Sequence, residues 1–354
     1  MKNLLIDHYK KYPEMQIQDM VKLIYQSEFA GGHLIPDEQE SLKYLEEELK
    51  EIDSSLSSVH VKEDFEYIGN NLYRLFLHTV KNNKIKPETV NRFFVATSEK
   101  VKGSISGFQE KLEVLRLCCV NKELPFPVKE LNAYLSEYRD KGYPPVSHSK
   151  VYKDEYKPFY RIVSGEYIKF FDLFSRIDEL CDKKERVIVA IDGNCGSGKT
   201  TLASIIDSVY GCNVFHMDDF FLPLDLRTTE RLSQAGGNVH YERFDSEVIH
   251  GIKSNKAFEY QKFDCARMSL GEKITVTPRK LNIIEGSYSM HPVLVDNYDL
   301  KVFLTVSAEE QSRRILLRNG IEKHKRFINE WIPLENKYFA ELGIKDKCDL
   351  VFET

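Results

Sequence analysis

The spacing of apolar residues divides the chain into a helical half and a half that alternates strands with helices. Up to about residue 184, apolar residues recur every three or four positions, for example at 42–52 and 167–177, which predicts amphipathic helices. From residue 187 the apolar residues form short β-branched runs instead, which are typical of strands buried on both faces. These runs lie at 187–191, 214–215, 281–284, 302–306 and 350–352.

Helical patterns at 200–210 and 308–318 separate several of these runs. Strands that alternate with helices predict right-handed crossovers and a mainly parallel sheet. The charged segment at 182–186 marks the change of pattern. We therefore expect a mostly α-helical accessory domain over 1–182 and an α/β domain with a mainly parallel sheet over 183–354. Ligands of such sheets bind at the carboxyl ends of the strands.

Composition narrows the class of protein without changing this picture. A net charge of −5 argues against a general nucleic-acid binder. The seven cysteines have no regular spacing and form no C-x-x-C pair, which indicates reduced thiols rather than disulfides or a structural zinc site. The first residues lack the pattern of a signal peptide, and no apolar run approaches the roughly 20 residues that a membrane helix needs. We expect a cytoplasmic protein with no membrane association.

The segment 193–200 fits the P-loop pattern G-x-x-x-x-G-K-[ST] and lies between a predicted strand and a predicted helix, which predicts the P-loop NTPase fold for 183–354. Glycines let the backbone wrap around phosphates, and the following helix presents its N-terminus to the same charge. We expect Lys199 to bridge the β- and γ-phosphates and the Thr200 hydroxyl to bind Mg²⁺. The residues expected to bind the nucleotide in this loop are Gly193, Asn194, Cys195, Gly196, Ser197, Gly198, Lys199, Thr200 and Thr201.

The role of Cys195 and the choice of nucleotide need separate arguments. The helix N-terminus could lower the pKa of the Cys195 thiol, although an incidental small residue is the interpretation we favour. No N-K-x-D motif occurs, so a GTPase is not expected and ATP is the default nucleotide.

Carboxylates follow two of the predicted strands. Asp218 and Asp219 come after the second run, where a carboxylate can accept the proton of an acceptor hydroxyl and help to place Mg²⁺. Glu285 ends a later buried run, and Gly286 after it permits close approach of the backbone. The alternative is that these carboxylates only cap turns or helices.

The order of these motifs resembles that of the uridine kinase, phosphoribulokinase and pantothenate kinase family, and within it the bacterial proteins called uridine kinase-like. The resemblance covers roughly 186–354 and includes the P-loop, the segment 217–221, the segment 284–286 and a basic stretch after 313. It implies an ATP- and Mg²⁺-dependent kinase that phosphorylates a hydroxyl of a small molecule, with a nucleoside as one candidate. The catalytic residues that it implies are Asp218, Lys199, Glu285 and Arg314; the metal ligands are Thr200, Asp218 and Glu285.

The same resemblance implies an arginine-bearing lid and an acceptor pocket. Arg313, Arg314 and Arg318 fall at the lid, where cations would neutralise the transferring phosphoryl group. Without the resemblance, this basic stretch is typical of a solvated helix face. The residues expected to contact the acceptor are Asp219, His240, Tyr241 and Arg243, for which an ordinary surface loop is the alternative. Uridine kinases have Ser-Phe-Tyr after the catalytic aspartate, whereas this chain has Asp219-Phe220-Phe221, so the acceptor is not fixed as a nucleoside.

The first 180 residues match no family that we know. Two of their segments, 25–33 and 143–149, carry more polar and aromatic residues than helix packing needs, and Tyr152, Tyr156, Tyr160 and Arg161 follow the second. They could line a second ligand site or an interface, although a packed helix face is the interpretation we favour. His33 and His148 do not have the spacing of metal ligands.

The leading hypothesis from the sequence is thus a small-molecule kinase with a helical accessory domain. A nucleotide-sensing regulatory protein, whose helical domain binds a partner, is the alternative from another class. A second catalytic activity in the helical half is a weaker option.

Overall fold

The computed structural model describes residues 1–31, 37–52 and 63–354. They divide into two compact units, Met1–Ser175 and Arg176–Thr354. Among the described residues, no helix is both long and apolar enough to cross a membrane. Of the segment 25–33 singled out above, Gly32 and His33 lie outside the described residues.

The first unit is built mainly from helices, several of which pack around an apolar core that includes Leu5, Leu23 and Phe108. Several begin at side chains that cap the free backbone N–H groups, such as Asp37, Ser104 and Ser149. The helices are α1 (Lys2–Lys11), α2 (Ile17–Phe29), α3 (Glu38–Glu51), α4 (His78–Lys81), α5 (Pro87–Lys100), α6 (Ile105–Val120), α7 (Val128–Asp140), α8 (Lys150–Tyr156) and α9 (Gly165–Lys169), followed by α10 (Phe171–Lys183), in which the boundary of the units falls.

A small antiparallel sheet, which the sequence pattern did not predict, completes this unit. Its strands are β1 (Phe65–Gly69), β2 (Leu72–Phe76) and β3 (Tyr160–Ser164), in the order β1-β2-β3. The hairpin between β1 and β2 turns through Asn70 and Asn71, which both have positive φ. Asparagine tolerates this conformation better than most residues. The sheet places Arg74 of β2 and Arg161 of β3 inside the unit.

The second unit is an α/β domain with a five-stranded parallel sheet, as predicted. The strand order is β10-β9-β4-β8-β5, and every neighbouring pair is parallel. The predicted runs all lie in this sheet, whose strands are β4 (Val187–Gly193), β5 (Asn213–His216), β8 (Leu281–Glu285), β9 (Leu300–Thr305) and β10 (Leu350–Glu353). A two-stranded antiparallel ribbon of β6 (Phe258–Asp264) and β7 (Ser269–Val276) was not predicted.

Helices flank the sheet and carry the chain between its strands. A π-helical turn, Phe327–Trp331, joins the two long C-terminal helices, and Gly320, with φ of 75°, kinks the first of them. The helices are α11 (Lys199–Tyr210), α12 (Thr229–Ser233), α13 (Tyr241–Phe244), α14 (His250–Ser254), α15 (Ala308–Arg326) and α16 (Ile332–Leu342).

Candidate active site

The phosphate-binding loop joins the central strand β4 to helix α11. Gly193, Gly196 and Gly198 have φ of 141°, 76° and 91°, a region that favours glycine. At Gly193 space is also limiting, because a Cβ there would lie 2.0 Å from the carbonyl oxygen of Leu304 on β9. The sheet therefore fixes the start of the loop, and the positive φ angles shape the rest.

Lys199 is folded back onto this loop and is largely buried. Its Nζ donates hydrogen bonds to the carbonyl oxygens of Gly193 (2.7 Å) and Asn194 (3.0 Å) and to Ser287 Oγ (3.2 Å). These neutral acceptors hold the ammonium at the loop without neutralising its charge. The charge is thus available to a phosphate.

Three polar side chains meet at the carboxyl ends of β5 and β8. Thr200 Oγ1 donates to Glu285 Oε1 at 3.0 Å, and His216 Nδ1 lies 2.5 Å from the same oxygen. They meet because His216 pairs with Glu285 in the parallel register of β5 and β8. The hydrogen bond to Glu285 raises the pKa of His216 above its ordinary value, against the effect of burial. Gly286 follows with φ of 135°, where a Cβ would lie 2.8 Å from Met217 Cβ, so the close approach expected there is present.

Asp218 follows β5 and presents its side chain to the cavity beside the loop. Restricted solvation within the concave site raises the pKa of this carboxyl, Lys199 acts in the opposite direction, and Glu285 raises it further. A carboxylate with a raised pKa is a better proton acceptor than an ordinary aspartate.

These elements enclose a cavity of about 390 Å³. That volume is within the usual range for a site that binds a small molecule. Many residues expected from the sequence to act in binding or catalysis line it: Cys195, Gly196, Gly198, Lys199, Thr200, Thr201, Asp218, Glu285 and Arg318.

Two of the predicted lid arginines lie elsewhere. Arg313 and Arg314 both bind the carboxylate of Glu310, one turn earlier in α15. Arg314 Nη1 also donates to the carbonyl oxygen of Gly196 at 3.2 Å, so it supports the back of the loop. Arg318 is the member of the predicted set that lines the cavity.

The residues predicted to contact the acceptor are likewise not among the described residues that line the cavity. Arg243 donates to the carbonyl oxygen of Asp219 (3.1 Å) and to Glu247 (3.0 Å), and its guanidinium lies over Phe220. Asp219 accepts a hydrogen bond from Tyr260 at 3.4 Å. These contacts hold the chain that follows Asp218.

The other two acceptor candidates, His240 and Tyr241, lie near Arg243 in sequence. The Tyr241 ring stacks on His291 with centroids 3.8 Å apart, and the Tyr241 hydroxyl accepts a hydrogen bond from Arg231 Nη1 at 2.6 Å. His240 donates its backbone N–H to Phe220 O at 2.7 Å, which ties the loop to the chain after β5.

Sequence reasoning did not assign a role to several other residues that line the cavity. These residues are Phe221, Asn238, Cys265, Ser287, Tyr288, Phe327, Trp331 and Glu335. Most have no motif around them, and only the fold brings them to the loop. The aromatic pair four residues apart at 327 and 331, beside the basic stretch, is a signal that could have found two of them.

Glu335 of α16 makes the closest of these contacts with the loop. Its buried carboxylate accepts hydrogen bonds from the Cys195 N–H at 2.9 Å and from the Ser287 hydroxyl at 2.7 Å. Burial, followed by this carboxylate, raises the pKa of the Cys195 thiol to about 12. Cys195 is therefore not an activated thiolate, in agreement with the interpretation favoured from the sequence.

The oxygen atoms at one end of the cavity are suited to a magnesium ion. The Thr200 hydroxyl and the carboxylates of Asp218 and Glu285 line the same cavity. In the described part of the chain, no group of three or more His, Cys, Asp and Glu side chains could hold a metal by itself. Mg²⁺ in kinase sites needs only one or two carboxylates, because substrate phosphates and water supply the other ligands. The residues present fit that arrangement.

Comparison with known proteins adds an independent line of argument. No protein-family model matches the chain. The nicotinamide riboside kinase 2 of Mus musculus is 34% identical over 173 residues, which are 47% of this chain and 86% of the relative. The chain belongs to the uridine kinase-like P-loop kinases. Its similarity to the uridine kinase of Chlamydia pneumoniae is 27% identity over 168 residues, 43% of this chain and 75% of that protein.

Membership in this family makes the protein a phosphotransferase that acts on hydroxyl acceptors. The matches with these two relatives span less than half of the chain. Among solved structures, a protein of Bacillus stearothermophilus described as a possible uridine kinase aligns with 51% of this kinase and 99% of its own chain, at 22% identity and a TM-score of 0.38.

Proposed function

We propose that this kinase uses ATP and Mg²⁺ and transfers the γ-phosphoryl group of ATP to a ribose hydroxyl of a small riboside. The observation that carries the proposal is Asp218, which faces the cavity that Lys199 and Thr200 of the phosphate loop also line. The relatives support the acceptor class, because uridine and nicotinamide riboside are both ribosides.

In this mechanism Asp218 accepts the proton of the attacking hydroxyl as the new P–O bond forms and the bond to the leaving ADP breaks. Lys199 and Arg318 place positive charge against the phosphates, where negative charge is spread over the transferring group. Most of the rate enhancement then comes from positioning and electrostatics rather than from covalent chemistry.

Thr200, Asp218 and Glu285 would hold the magnesium ion in this proposal. When bound, Mg²⁺ neutralises phosphate charge and orients the β- and γ-phosphates. In the structure, Glu285 accepts hydrogen bonds from Thr200 and His216, so its carboxylate is held at the end of β8.

The acceptor would occupy the aromatic side of the cavity. Phe221, Tyr288, Phe327 and Trp331 line it there, with Asn238 as a hydrogen-bonding side chain. A planar base can stack on such rings, and an amide can pair with its edge. This composition suits a riboside better than a simple sugar, which presents hydroxyls on all sides.

The test is a panel of uridine, cytidine, adenosine, nicotinamide riboside, free ribose and pantothenate, read by acceptor-dependent release of ADP. We expect turnover with at least one riboside. In Asp218→Asn we expect ATP binding close to that of the wild type and turnover lower by at least about 10²-fold, the loss expected when a general base is removed.

The matched control is Asp225→Asn. Asp225 is exposed a few residues further on and is not among the described residues that line the cavity. Turnover should be unchanged in this control. Unchanged turnover in Asp218→Asn would remove Asp218 from the mechanism. ATP binding without turnover on any acceptor would favour a nucleotide-sensing protein instead.

A further inference from the structure

The first unit contains a cavity that plays no part in the kinase chemistry. It has a volume of about 350 Å³, comparable to that of the kinase cavity. Polar and charged side chains as well as aromatic rings line it, including Lys22, His148, Tyr160 and Arg161. Three of these four belong to the stretch from 143 to 161 that carries more polar residues than packing requires. A packed helix face alone would not leave such a cavity.

The buried guanidinium of Arg74 contacts two of the lining residues, Gln26 and Tyr160. Arg74 is 1% exposed, and its Nη2 donates to Gln26 Oε1 at 2.9 Å while its Nη1 donates to Glu66 Oε2 at 3.1 Å. Its guanidinium lies 4.7 Å from the centroid of the Tyr160 ring. Gln26 Nε2 donates to the Tyr160 hydroxyl at 2.9 Å. The lining side chains Gln26 and Tyr160 are therefore held in place from behind.

His148, which is neutral, forms another part of the cavity wall. Its Nδ1 lies 2.9 Å from Asp19 Oδ1, and its Nε2 lies 2.6 Å from the Tyr160 hydroxyl. Burial lowers the pKa of His148 to about 3, although Asp19 favours the charged form. Around neutral pH, Nδ1–H thus donates to Asp19, and Nε2 accepts from Tyr160. This hydrogen bonding fixes the wall, and no positive charge comes from the imidazole.

The positive charge at the cavity comes from two other residues. Arg161 is 8% exposed; its Nη1 binds Glu48 at 2.8 Å, and its Nε has no hydrogen-bond partner among the described residues. Lys22 Nζ donates to the carbonyl oxygen of Val146 at 2.8 Å and has no carboxylate ion pair in the described part of the chain. Glu48 is the only carboxylate among the described lining residues, so two cations face one anion.

Two further cations, Arg74 and Lys153, act on Lys22. Burial first, and then these two charges, lower the pKa of the Lys22 ammonium to about 8, although Asp19 acts in the opposite direction. A bound anion would stabilise the ammonium and would supply acceptors for both cations.

We propose that this cavity binds a small organic anion, a carboxylate or phosphate monoester carried on a ring, whose anionic group contacts Lys22 and Arg161. The ring would pack against Phe94 and Tyr44, which line the same cavity. The proposal does not depend on the kinase reaction, because all the residues that carry it belong to the first unit.

The test is calorimetric titration of the full-length chain with phenyl phosphate and with benzoate, and with benzyl alcohol as the neutral ring. We expect at least one anion to bind, and at least about 10-fold more tightly than benzyl alcohol, because the alcohol lacks the charge that forms strong hydrogen bonds with Lys22 and Arg161. The two anions distinguish a phosphate ester from a carboxylate. Slower hydrogen exchange in α2 and β3 on binding would locate the probe.

Variants decide between this cavity and the kinase site. Arg161→Gln and Lys22→Met should each weaken binding by about 10-fold or more, with helical content unchanged by circular dichroism. Arg116→Gln is the control, because Arg116 makes a comparable ion pair with Glu113 at 2.7 Å on the surface of the same unit. Lys199→Met, which removes the phosphate-loop lysine, should leave binding unchanged.

Two outcomes would overturn the proposal. One is the absence of binding of either anion up to about 10 mM, a concentration that would detect even weak sites. The other is binding that Lys199→Met abolishes and that Arg161→Gln and Lys22→Met leave intact, which would place the probe at the phosphate loop.

Discussion

Glu66 is the centre of a buried charge cluster in the first unit, and its replacement by glutamine tests how that unit is stabilised. Its Oε1 accepts a hydrogen bond from the Tyr12 hydroxyl at 2.8 Å and lies 2.8 Å from Lys11 Nζ. Its Oε2 lies 3.1 Å from Arg74 Nη1 and 3.4 Å from His8 Nε2. Glutamine keeps the shape of the side chain, removes its negative charge and replaces one accepting oxygen by an NH2 donor.

The expected loss of stability follows from burial of both ends of the pair. The side chains of Glu66 and Arg74 are 5% and 1% exposed, so the substitution leaves a guanidinium in the interior without its counter-charge. Removing one partner of a buried ion pair costs about 3 to 5 kcal/mol. For a unit the size of Met1–Ser175, 1 kcal/mol shifts the unfolding midpoint by about 2 to 4 °C, so we expect a decrease of roughly 6 to 20 °C.

The assay uses the single tryptophan of the chain. Trp331 lies in the second unit, so its emission follows that unit, whereas far-ultraviolet circular dichroism follows the helices of both. We expect Glu66→Gln to move a component of the dichroism transition downwards and to leave the Trp331 transition in place. Glu113→Gln, which removes an exposed ion pair with Arg116, should change neither, because such pairs contribute little to stability.

The dependence on pH provides a second measurement. Burial alone would raise the pKa of Glu66, but contacts with His8, Arg74 and Lys11 outweigh it and hold the pKa below its ordinary value. The stability gained from ionised Glu66 is therefore complete above the unfolded pKa of about 4.3 and is lost as the pH falls below it. The difference between wild type and Glu66→Gln should be largest near pH 7 and should shrink below pH about 4.

Equal midpoints for Glu66→Gln and Glu113→Gln would refute the reasoning from buried charge. A Trp331 transition that moves as far as the dichroism transition would instead show that the two units do not unfold separately.

Three further predictions concern the phosphate loop, the loop that carries the cavity-lining Asn238, and the cavity of the first unit. Gly193→Ala should abolish ATP binding or soluble folding, because its Cβ would clash with Leu304, whereas Gly198→Ala meets no atom within 4 Å and should only add backbone strain; nucleotide titration separates the two. Arg231 donates to the carbonyl oxygens of Gly237 and Val239, on either side of the cavity-lining Asn238, and to the Tyr241 hydroxyl. Because a lysine cannot reproduce these hydrogen bonds, Arg231→Lys should raise the KM for the acceptor more than it lowers kcat, which steady-state kinetics measures. Binding of phenyl phosphate should weaken as the pH rises above about 8, because Lys22 then loses its proton, and titration at pH 7 and 9.5 checks this, with an unchanged affinity counting against Lys22.

The parallel sheet could be predicted because its strands are short apolar runs that need no partner to be recognised. The antiparallel sheet of the first unit could not, because its strands carry buried charges. Glu66, Arg74 and Arg161 all point into the unit, so the alternation of apolar and polar residues that marks a half-buried strand is lost. Their partners make these positions acceptable in an interior: Glu66 faces Arg74 across the β1–β2 hairpin, and Arg161 pairs with Glu48, 113 positions away. The apolar pattern of the sequence shows neither pair.

In the candidate site, too, residues defined by local motifs could be predicted, whereas residues brought there by long-range contacts could not. Residues whose function depends on local backbone geometry, such as the phosphate loop and the carboxylates at strand ends, were found from their order in the chain. Glu335 was missed because its contact with the Cys195 N–H joins residues 140 positions apart. His240 and Arg243 were selected for their polar chemistry and because the resemblance places the acceptor pocket after the second strand, but Arg243 holds the chain after Asp218 through backbone and side-chain contacts.

Comparison of the two units distinguishes cationic side chains that stabilise the fold from those that we propose bind a ligand. In the second unit, the Nη atoms of Arg243 donate to Glu247 and to the carbonyl oxygens of Asp219 and Gln261, and Arg243 is not among the described residues that line the kinase cavity, so its polarity serves the fold. In the first unit, Lys22 and Arg161 also make contacts within the fold, yet both line a cavity whose described lining holds one carboxylate, that of Glu48, which pairs with Arg161. A buried cation whose charge is balanced by the protein serves structure, whereas an excess of cations at a cavity needs an anion from outside. For that reason the inference of a second ligand rests on Lys22 and Arg161 and not on the number of polar residues around them.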